Sequence, residues 1–452
     1  MALELERQGA HIIALKDMAG LLMPQAAYRL ISELKATVDV PIHLHTHDTS
    51  GNGIFTYASA VKAGVDIVDV AMSAISGATS QPSMSSLYYA LVNGDRTPDI
   101  EIKNVQQLNH YWEDVRGFYT DFENGISAPQ TEVYQHEMPG GQYSNLQQQA
   151  KAVGLGEKWE EVKQMYSTVN QMFGDVVKVT PSSKVVGDMA LFMIQNGLSE
   201  ADVYEKGASI DFPDSVIGFF RGDLGQPVGG FPEKLQKIIL KDKKAITVRP
   251  GSLAKSVDFA AVKKELAEKM GEEPTHEDVL SYIMYPQVFL EYCKMHDQYG
   301  DVTLLDTPTF FHGMRHGESV EVRIEKGKTL IIKLIEVGEP DSEGNRILYF
   351  ELNGQGREVV IKDISIKGTA TLRRKAEPTN KEQVGATMPG SVLEVLVEKG
   401  ERVKAGQPIL ITEAMKMETT IQANFEGIVD QIYVQNEDII ETGDLLIEIK
   451  PR

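Results

Sequence analysis

The stretch from Gly390 onward carries a repeat that few folds accommodate. From Gly390 the chain runs Ser391-Val392-Leu393-Glu394-Val395-Leu396-Val397, then a polar turn, then Val403 and Gly406. From Gly427 it runs Ile428-Val429-Asp430-Gln431-Ile432-Tyr433-Val434, then a polar turn, then Ile440 and Gly443. The offset is a constant 37 residues, from 390 to 427 and from 406 to 443, and it also maps Leu410 onto Ile447. A fixed period means one supersecondary unit used twice, and alternating β-branched residues between glycine turns mean short strands. Two four-strand halves then pack as a flattened β-barrel, with one hairpin between them. That hairpin reads Glu413-Ala414-Met415-Lys416-Met417-Glu418. Burial does not ask for an ammonium between two thioethers, so Lys416 reads as a modification site.

Composition narrows the rest. With 452 residues the chain has room for about three domains. A net charge of −20 argues against nucleic acid as a partner, because phosphate binding needs a basic surface. Cys293 stands alone, so no disulfide can form within the chain, and the residue is expected to be a buried apolar one. No apolar run is long enough to span a bilayer, so no membrane is expected. The expected location is cytoplasmic.

Strand and helix patterns alternate over residues 1–95: a strand at His11 to Lys16, a helix at Pro24 to Val38, a strand at Pro41 to His47, a helix at Gly53 to Ala63 and a strand at Val65 to Ala71. Such alternation means parallel strands with crossover helices. Residues 96–305 are richer in helix, with long helices expected at Val105 to Phe122 and Lys158 to Phe173. Strand patterns return over 306–365. Residues 366–383, with Arg373-Arg374-Lys375-Ala376-Glu377-Pro378, read as a charged linker, and the repeat domain occupies 384–452. The expected fold class is α/β, a partial TIM barrel with a helical extension, plus small all-β domains. The last of these is a flattened β-barrel of the biotinyl/lipoyl type.

His43-Leu44-His45-Thr46-His47-Asp48 ends the second strand, and a period of two puts the three histidines on one face. In a parallel barrel, inward residues at the C-terminal strand ends form the active site. Imidazoles two positions apart can share a metal ion. Lys16 falls in the same layer if the alternation holds. A salt bridge there is one reading. Ligation as a carbamate, which replaces an ammonium by carboxylate oxygens, is the other.

At this point a resemblance becomes close. Lys16-Asp17-Met18-Ala19-Gly20, His43 to Gly51, Thr79-Ser80-Gln81-Pro82-Ser83 and Thr180-Pro181-Ser182-Ser183-Lys184 resemble the carboxyltransferase domain of the pyruvate carboxylase family. Met314 to Glu318 and Tyr349 to Gly354 resemble its allosteric and tetramerisation domain, and Glu413 to Glu418 resembles its biotin carrier domain. A lipoyl carrier shares that last fold, but methionines on both sides of the lysine point to biotin. The resemblance implies that His45 and His47 bind a divalent metal (Mn, Zn or Mg) and that Lys16 is the carboxylated lysine ligand. His43 is not a ligand in the family. Thr180 would pass a proton between pyruvate and biotin, where the sequence alone suggests only a helix N-cap. Ser183 would lie near bound biotin, and Lys416 would carry it. The implied partners are a biotin protein ligase, a biotin carboxylase domain using ATP and bicarbonate, pyruvate as substrate and a homotetramer.

The sequence departs from the family at its front. No glycine-rich ATP-binding segment is present, and three strands precede the helical region where a closed barrel needs eight. The expectation is a C-terminal fragment, not competent alone, with weak metal binding. Two other readings stand beside it: the biotin-containing alpha subunit of a decarboxylase such as oxaloacetate decarboxylase, and a non-catalytic biotin-acceptor or oligomerisation protein. The strand-rich stretch 306–365 favours the carboxylase.

Overall fold

The protein is described here from a computed structural model covering residues 1–123, 125–126, 128–341, 344–363, 373–377, 380–414 and 417–451, without the side chains of 414 and 417. It divides into two compact units: Met1–Ser252 with Arg373–Arg452, and Leu253–Leu372.

The first unit opens with a parallel sheet of β1 (Ile13–Asp17), β2 (Ile42–Thr46) and β3 (Ile67–Val68), in that order. Two helices join the strands: α1 (Pro24–Thr37), which has proline at its start, and α2 (Gly53–Lys62). Proline suits the first turn because its missing N–H has no partner there anyway. Ile42, Leu44 and Thr46 of β2 are buried, and Ile42 and Leu44 pack with Ile31, Tyr57 and Ala60 from the helices. Their neighbours His43, His45 and His47 are half-buried on the other face, as the period of two predicts. The third strand is shorter than its sequence pattern; beyond it, Ala71 makes a single parallel bridge to Ser83.

A helical layer follows a helix at Ile102–Gly117, which starts and ends earlier than the sequence pattern suggested. It comprises α3 (Gly140–Ala152), α4 (Trp159–Met172), α5 (Ser182–Gln195), α6 (Asp214–Arg221) and α7 (Glu233–Leu240). Its core holds Leu146, Tyr166, Phe173, Met189, Leu191 and Phe220, all close to fully buried. Phe173 meets Phe220 edge-on at 4.9 Å, an arrangement that adds about 0.5–1.5 kcal/mol beyond area burial.

The second unit holds α8 (Phe259–Met270), α9 (His276–Met284) and α10 (Pro286–Tyr299) around Leu266, Val279 and Phe289. Cys293 sits at the edge of that cluster and is half-buried, not enclosed as expected, because α10 keeps an open side. An antiparallel meander follows: β4 (Ser319–Glu325), β5 (Lys328–Val337), β6 (Asn345–Leu352) and β7 (Gln355–Lys362).

The repeat domain contains β8 (Gln383–Gly385), β9 (Gly390–Val395), β10 (Arg402–Val403), β11 (Pro408–Ala414), β12 (Met417–Gln422), β13 (Gly427–Ile432), β14 (Ile439–Ile440) and β15 (Leu445–Pro451). The bounds of β9, β10 and β11 map onto those of β13, β14 and β15 at the same 37-residue offset. The halves interlock: one sheet runs β12-β11-β9-β14 and the other β10-β13-β15-β8, so each takes strands from both repeats. Val392, Ile409, Leu410, Leu446 and Ile447 close the core between them. Residues 373–377, expected to be part of a free linker, lie along this domain. Leu445 N–H donates to the Arg374 carbonyl at 2.8 Å, and Lys375 pairs with Asp444 at 2.8 Å. Asp444 is 4% exposed, so the half-exposed Lys375 supplies a buried carboxylate with its counter-charge. Residues 364–372 lie outside the described residues.

His136 gives this unit a pH response. It is 5% exposed, its Nδ1 accepts the Met138 N–H at 3.0 Å, and burial drives its pKa down to about 4. An unfolded histidine titrates near 6.5, so between about pH 6.5 and 4 the unfolded chain holds the extra proton and stability falls as pH falls. Replacing His136 by Asn keeps an acceptor for Met138 and removes the titration. Chemical denaturation from pH 7 to 4.5 should show a shallower loss of stability in His136→Asn than in the parent, by up to about 1.4 kcal/mol per pH unit.

Candidate active site

The register of the parallel sheet builds the site. Lys16 on β1 pairs with His45 on β2, and Ala14 with His43, so these four residues share one face. Lys16 is exposed on that face, while Leu15 and Asp17 turn toward the helices. Asp17 is occupied there: its carboxylate accepts the N–H groups of Leu21 and Leu22 and the hydroxyl of Thr46.

Both C-terminal histidines have one ring nitrogen committed. His45 Nδ1 lies 2.8 Å from Asp69 Oδ2, and His47 Nδ1 lies 2.6 Å from the Thr79 carbonyl oxygen. A carbonyl only accepts, and an ionised carboxylate only accepts, so each Nδ1 carries a proton, and in a neutral ring it is Nε2 that keeps the lone pair. The same arrangement orients metal-ligating histidines in general. His43 is used differently: its Nε2 donates to Asp69 Oδ1 at 2.8 Å, which leaves it a support for the carboxylate. Burial opposes ionisation of Asp69, but the His45 and His43 hydrogen bonds outweigh it and lower its pKa. Tyr57 fixes the same corner, donating to the Asp69 carbonyl at 2.7 Å and accepting the Thr46 N–H at 3.1 Å.

His47 is kept neutral. Burial is the largest cause of its lowered pKa; the Thr79 carbonyl acts in the opposite sense, and the nearby His45 and Lys16 charges add to the lowering. The His45 and His47 rings meet edge-on with centroids 5.2 Å apart. Two glycines make room for this. A Cβ on Gly20, whose φ is +73°, would sit 2.4 Å from the His47 carbonyl oxygen. A Cβ on Gly140 would sit 2.9 Å from His47 Nδ1 and 3.0 Å from the Thr79 oxygen. Gly140 is also tied to the sheet, its N–H donating to the Met18 carbonyl at 3.0 Å.

The residues present fit a divalent cation in part. Two neutral imidazoles offer Nε2, and Lys16 offers oxygens only as a carbamate, since an ammonium would repel the ion. Among the described residues no group of three or more His, Cys, Asp or Glu side chains could hold a metal by itself.

Thr180 and Ser183 stand on another element. Thr180 is exposed in the turn before α5, and Ser183 is 3% exposed, its carbonyl accepting from Tyr166. Pro181, not Thr180, is the N-cap residue, and Ser182 turns its hydroxyl back to the carbonyls of Val177 and Val179. No hydrogen bond or ion pair among the described residues links Thr180 or Ser183 to the histidines. The connection runs through packing. Gly187 of α5 approaches Gln142 and Leu146 of α3 so closely that a Cβ there would meet Gln142 Nε2 at 2.6 Å, and α3 begins at Gly140 beside His47. Lys416 lies outside the described residues; on either side of it in sequence β11 and β12 pair, Glu413 with Glu418 and Ala414 with Met417.

Sequence comparison places these pieces. Residues 1–111 match the family described as HMGL-like, 133–333 the conserved carboxylase domain, and 382–449 the family of the biotin-requiring enzymes. The pyruvate carboxylase of Bacillus subtilis is 60% identical over 450 residues, which is 100% of this chain and 39% of that protein. The chain belongs to the pyruvate carboxylase family and matches its C-terminal part. The human mitochondrial pyruvate carboxylase is 43% identical over 453 residues, covering 100% of this chain and 38% of its own length. The complete multifunctional pyruvate carboxylase from Rhizobium etli superposes with a TM-score of 0.72 at 47% identity, over 99% of this chain and 41% of the other. The carboxyl transferase domain of that enzyme with pyruvate and biocytin superposes with a TM-score of 0.74 at 50% identity, over 80% of this chain and 61% of the other. The chain thus spans about two fifths of the length of the curated relatives it matches. No described helix is long and apolar enough to cross a membrane.

Asp69 and Gly140 escaped the sequence reading. The signal for Asp69 was a carboxylate inside the expected third strand, Val65 to Ala71; Gly140 offered only the Pro139-Gly140-Gly141 run. Gly140→Ala is expected to push His47 off the Thr79 carbonyl. Calorimetric titration with Mn²⁺ or Zn²⁺ should show affinity reduced by about 10–100-fold, the cost of losing an orienting partner. Gly141→Ala, with open space at its Cβ, should bind as the parent does.

Proposed function

We propose that this chain carries the C-terminal part of the machinery for the carboxyltransferase half of a biotin-dependent carboxylation, in which a carboxyl group moves from biotin on Lys416 to pyruvate, giving oxaloacetate, and that it does not complete the reaction alone. The observation that supports this most is the pair of oriented imidazoles facing the register partner Lys16, in a chain aligned over its whole length with pyruvate carboxylases.

In this reading His45 and His47 hold the cation through Nε2, and Lys16 joins them as a carbamate. Carbamylation turns a positive neighbour into a negative one, so it removes repulsion and adds a ligand in one step. A divalent metal, when bound, offsets the negative charge that grows on the enolate oxygen as the methyl proton leaves. Asp69 and the Thr79 carbonyl keep both rings aimed while that charge develops. Thr180 passes the proton between pyruvate and the cofactor. Its hydroxyl is no strong base, so its contribution is position, and the exposed turn before α5 leaves it reachable. Ser183, in the first turn of the same helix, stands near bound biotin in this reading. Biotin, once attached, supplies the ureido nitrogen that carries the carboxyl group.

The repeat domain is the carrier in this reading. Tethering raises the effective concentration of the reacting group at each site it visits. The same reading brings in a biotin protein ligase, a biotin carboxylase domain that uses ATP and bicarbonate, a homotetramer and a cytoplasmic setting.

Coexpression with a biotin ligase followed by an avidin blot tests the attachment site. The parent chain should be labelled, and Lys416→Arg should be unlabelled while keeping the cooperative melt of the carrier. A labelled Lys416→Arg chain would place the cofactor elsewhere. With the labelled chain reconstituted with the missing parts of the enzyme and supplied with ATP and bicarbonate, Thr180→Ala should lower oxaloacetate formation by about 100-fold or more, the usual contribution of a positioned proton-transfer group, with pyruvate KM little changed.

A further inference from the structure

The Thr79 carbonyl that holds His47 lies on neither a strand nor a helix. It belongs to the loop that leaves the sheet after β3 and enters the helix at Met84–Leu91. Ala71 closes the base of this loop: its N–H donates to the Pro82 carbonyl at 3.0 Å, and its carbonyl accepts the Met84 N–H at 2.9 Å. The Ser73 and Ser83 hydroxyls meet between the two stems at 2.9 Å. At the crown, Gly77 N–H donates to the Gln81 carbonyl and Ser80 N–H to the Gly77 carbonyl, both at 2.9 Å. The crown then spends two carbonyls on the end of β2. Thr79 accepts from His47 Nδ1 at 2.6 Å, and Ser80 accepts the Asp48 N–H at 2.8 Å.

A crown of this shape does not hold itself. Gly77 has a φ of +79° and Ala78 one of +47°. The left-handed region suits glycine, whereas alanine enters it rarely, and such a conformation persists only where the surroundings enforce it. The stems therefore need a brace, and the Ile102–Gly117 helix supplies one. Val105 and Asn109 are its two buried residues. Asn109 is 7% exposed, and both of its N–H bonds and its oxygen have partners. Oδ1 accepts the Ser73 N–H at 2.9 Å, while Nδ2 donates to Ser85 Oγ at 3.0 Å and to Ser73 Oγ at 3.3 Å. One side chain thus reaches both stems, Ser73 on the way out of the sheet and Ser85 on the way into the next helix.

An apolar residue beside Val105 would fill the same space without fixing the loop. A buried amide is costly unless its polar atoms are all paired, so its worth here lies in the geometry that those three bonds impose. Arg116, two turns further along the same helix, adds a second hold. Its Nη1 donates to the Ala74 carbonyl, and its Nε pairs with Glu123 at 2.6 Å. His45 does not depend on the loop in this way. Its Nδ1 is held by Asp69, which His43 and Tyr57 pin from within the sheet and α2.

We propose that Asn109 is a positioning residue for the candidate centre: it ties both stems of the loop, and the loop keeps the Thr79 carbonyl on His47 Nδ1. Its own hydrogen bonds end on Ser73 and Ser85, so it acts on the centre through the direction in which His47 Nε2 points. Arg116 serves the same end from Ala74. The inference rests on reading His47 as a ligand of the cation. It also sets the two histidines apart, because loss of the brace reaches His47 and spares His45.

The test reads ring tautomers in the full, metal-free chain with isotope-labelled histidine. Two-bond proton–nitrogen correlation spectra at about pH 8, where an ordinary imidazole is neutral, distinguish Nδ1–H from Nε2–H rings. His45→Gln and His47→Gln assign the two signals. In the parent both rings should hold the Nδ1–H form. In Asn109→Ala the tautomer ratio of His47 should shift toward Nε2–H by about fivefold or more, the change that loss of one hydrogen bond brings, while His45 stays as it was. Arg116→Gln, at a half-exposed position that bears little on folding, should move His47 in the same direction and again spare His45. An unchanged His47 in both variants would overturn the proposal. So would a shift of His45 as large as that of His47, which would mean that the whole sheet had loosened. Titration of the same chains with Mn²⁺ separates the two ideas: Asn109→Ala should bind about tenfold more weakly than the parent, as when a ligand loses its orienting partner. A parent chain that bound no metal would sink the ligand reading while the tautomer result stood, and unchanged tautomers in chains that bound metal would sink the brace alone.

Discussion

The Nδ1–H of His45 is held by a carboxylate and that of His47 by a main-chain carbonyl, and the rest of the site is arranged to keep those two bonds. An imidazole free to rotate or to change tautomer presents either nitrogen. One with its Nδ1 proton engaged presents only Nε2, in one direction. Asp69 can serve His45 because β3, though two residues long, delivers it to the end of β2, with the Asp69 N–H donating to Leu44 O at 3.3 Å. His43 and Tyr57 then pin Asp69 from two sides. Oriented nitrogens, a lowered His47 pKa and the Lys16 register all follow from this one corner of a parallel sheet.

The carrier obeys a different constraint. Its halves repeat in sequence but do not fold as separate lobes, because a half sheet alone would leave one apolar face in water. Exchanging the short strands β10 and β14 lets each sheet complete itself with a strand from the other repeat. The result is a core closed between the two sheets.

Much of this was legible in the sequence. The period of two in His43-Leu44-His45-Thr46-His47 put the three histidines on one face, and the 37-residue offset recurs in the strand bounds, although the strands end two residues before Val397 and Val434. Lys16 fell on the right layer because alternation survives wherever a strand has one buried face. What was missed depends on contacts distant in sequence. Asp69 is 24 residues from His45, and its role exists only once β3 pairs. Gly140 has no local signature, since its small size matters only where α3 meets His47. The Thr180 cap failed because the helix begins at Ser182, so Pro181 holds the N-cap position and Thr180 lies one residue outside it. Arg373 to Glu377 looked like tether from charge alone, but a run of cations is drawn to acidic neighbours such as Asp438 and Asp444.

Gly140 has a consequence for how the centre comes into being. It belongs to the helical layer, yet its N–H is spent on the Met18 carbonyl and its missing side chain is what lets the His47 ring stay on Thr79. The sheet alone therefore supplies the histidines but not the walls that hold their pose, and the final geometry of His47 depends on the helical layer as well as on the sheet. A chain whose helical layer is loosened, by heat or by substitution far from any histidine, would lose the pose of His47 before it lost its secondary structure.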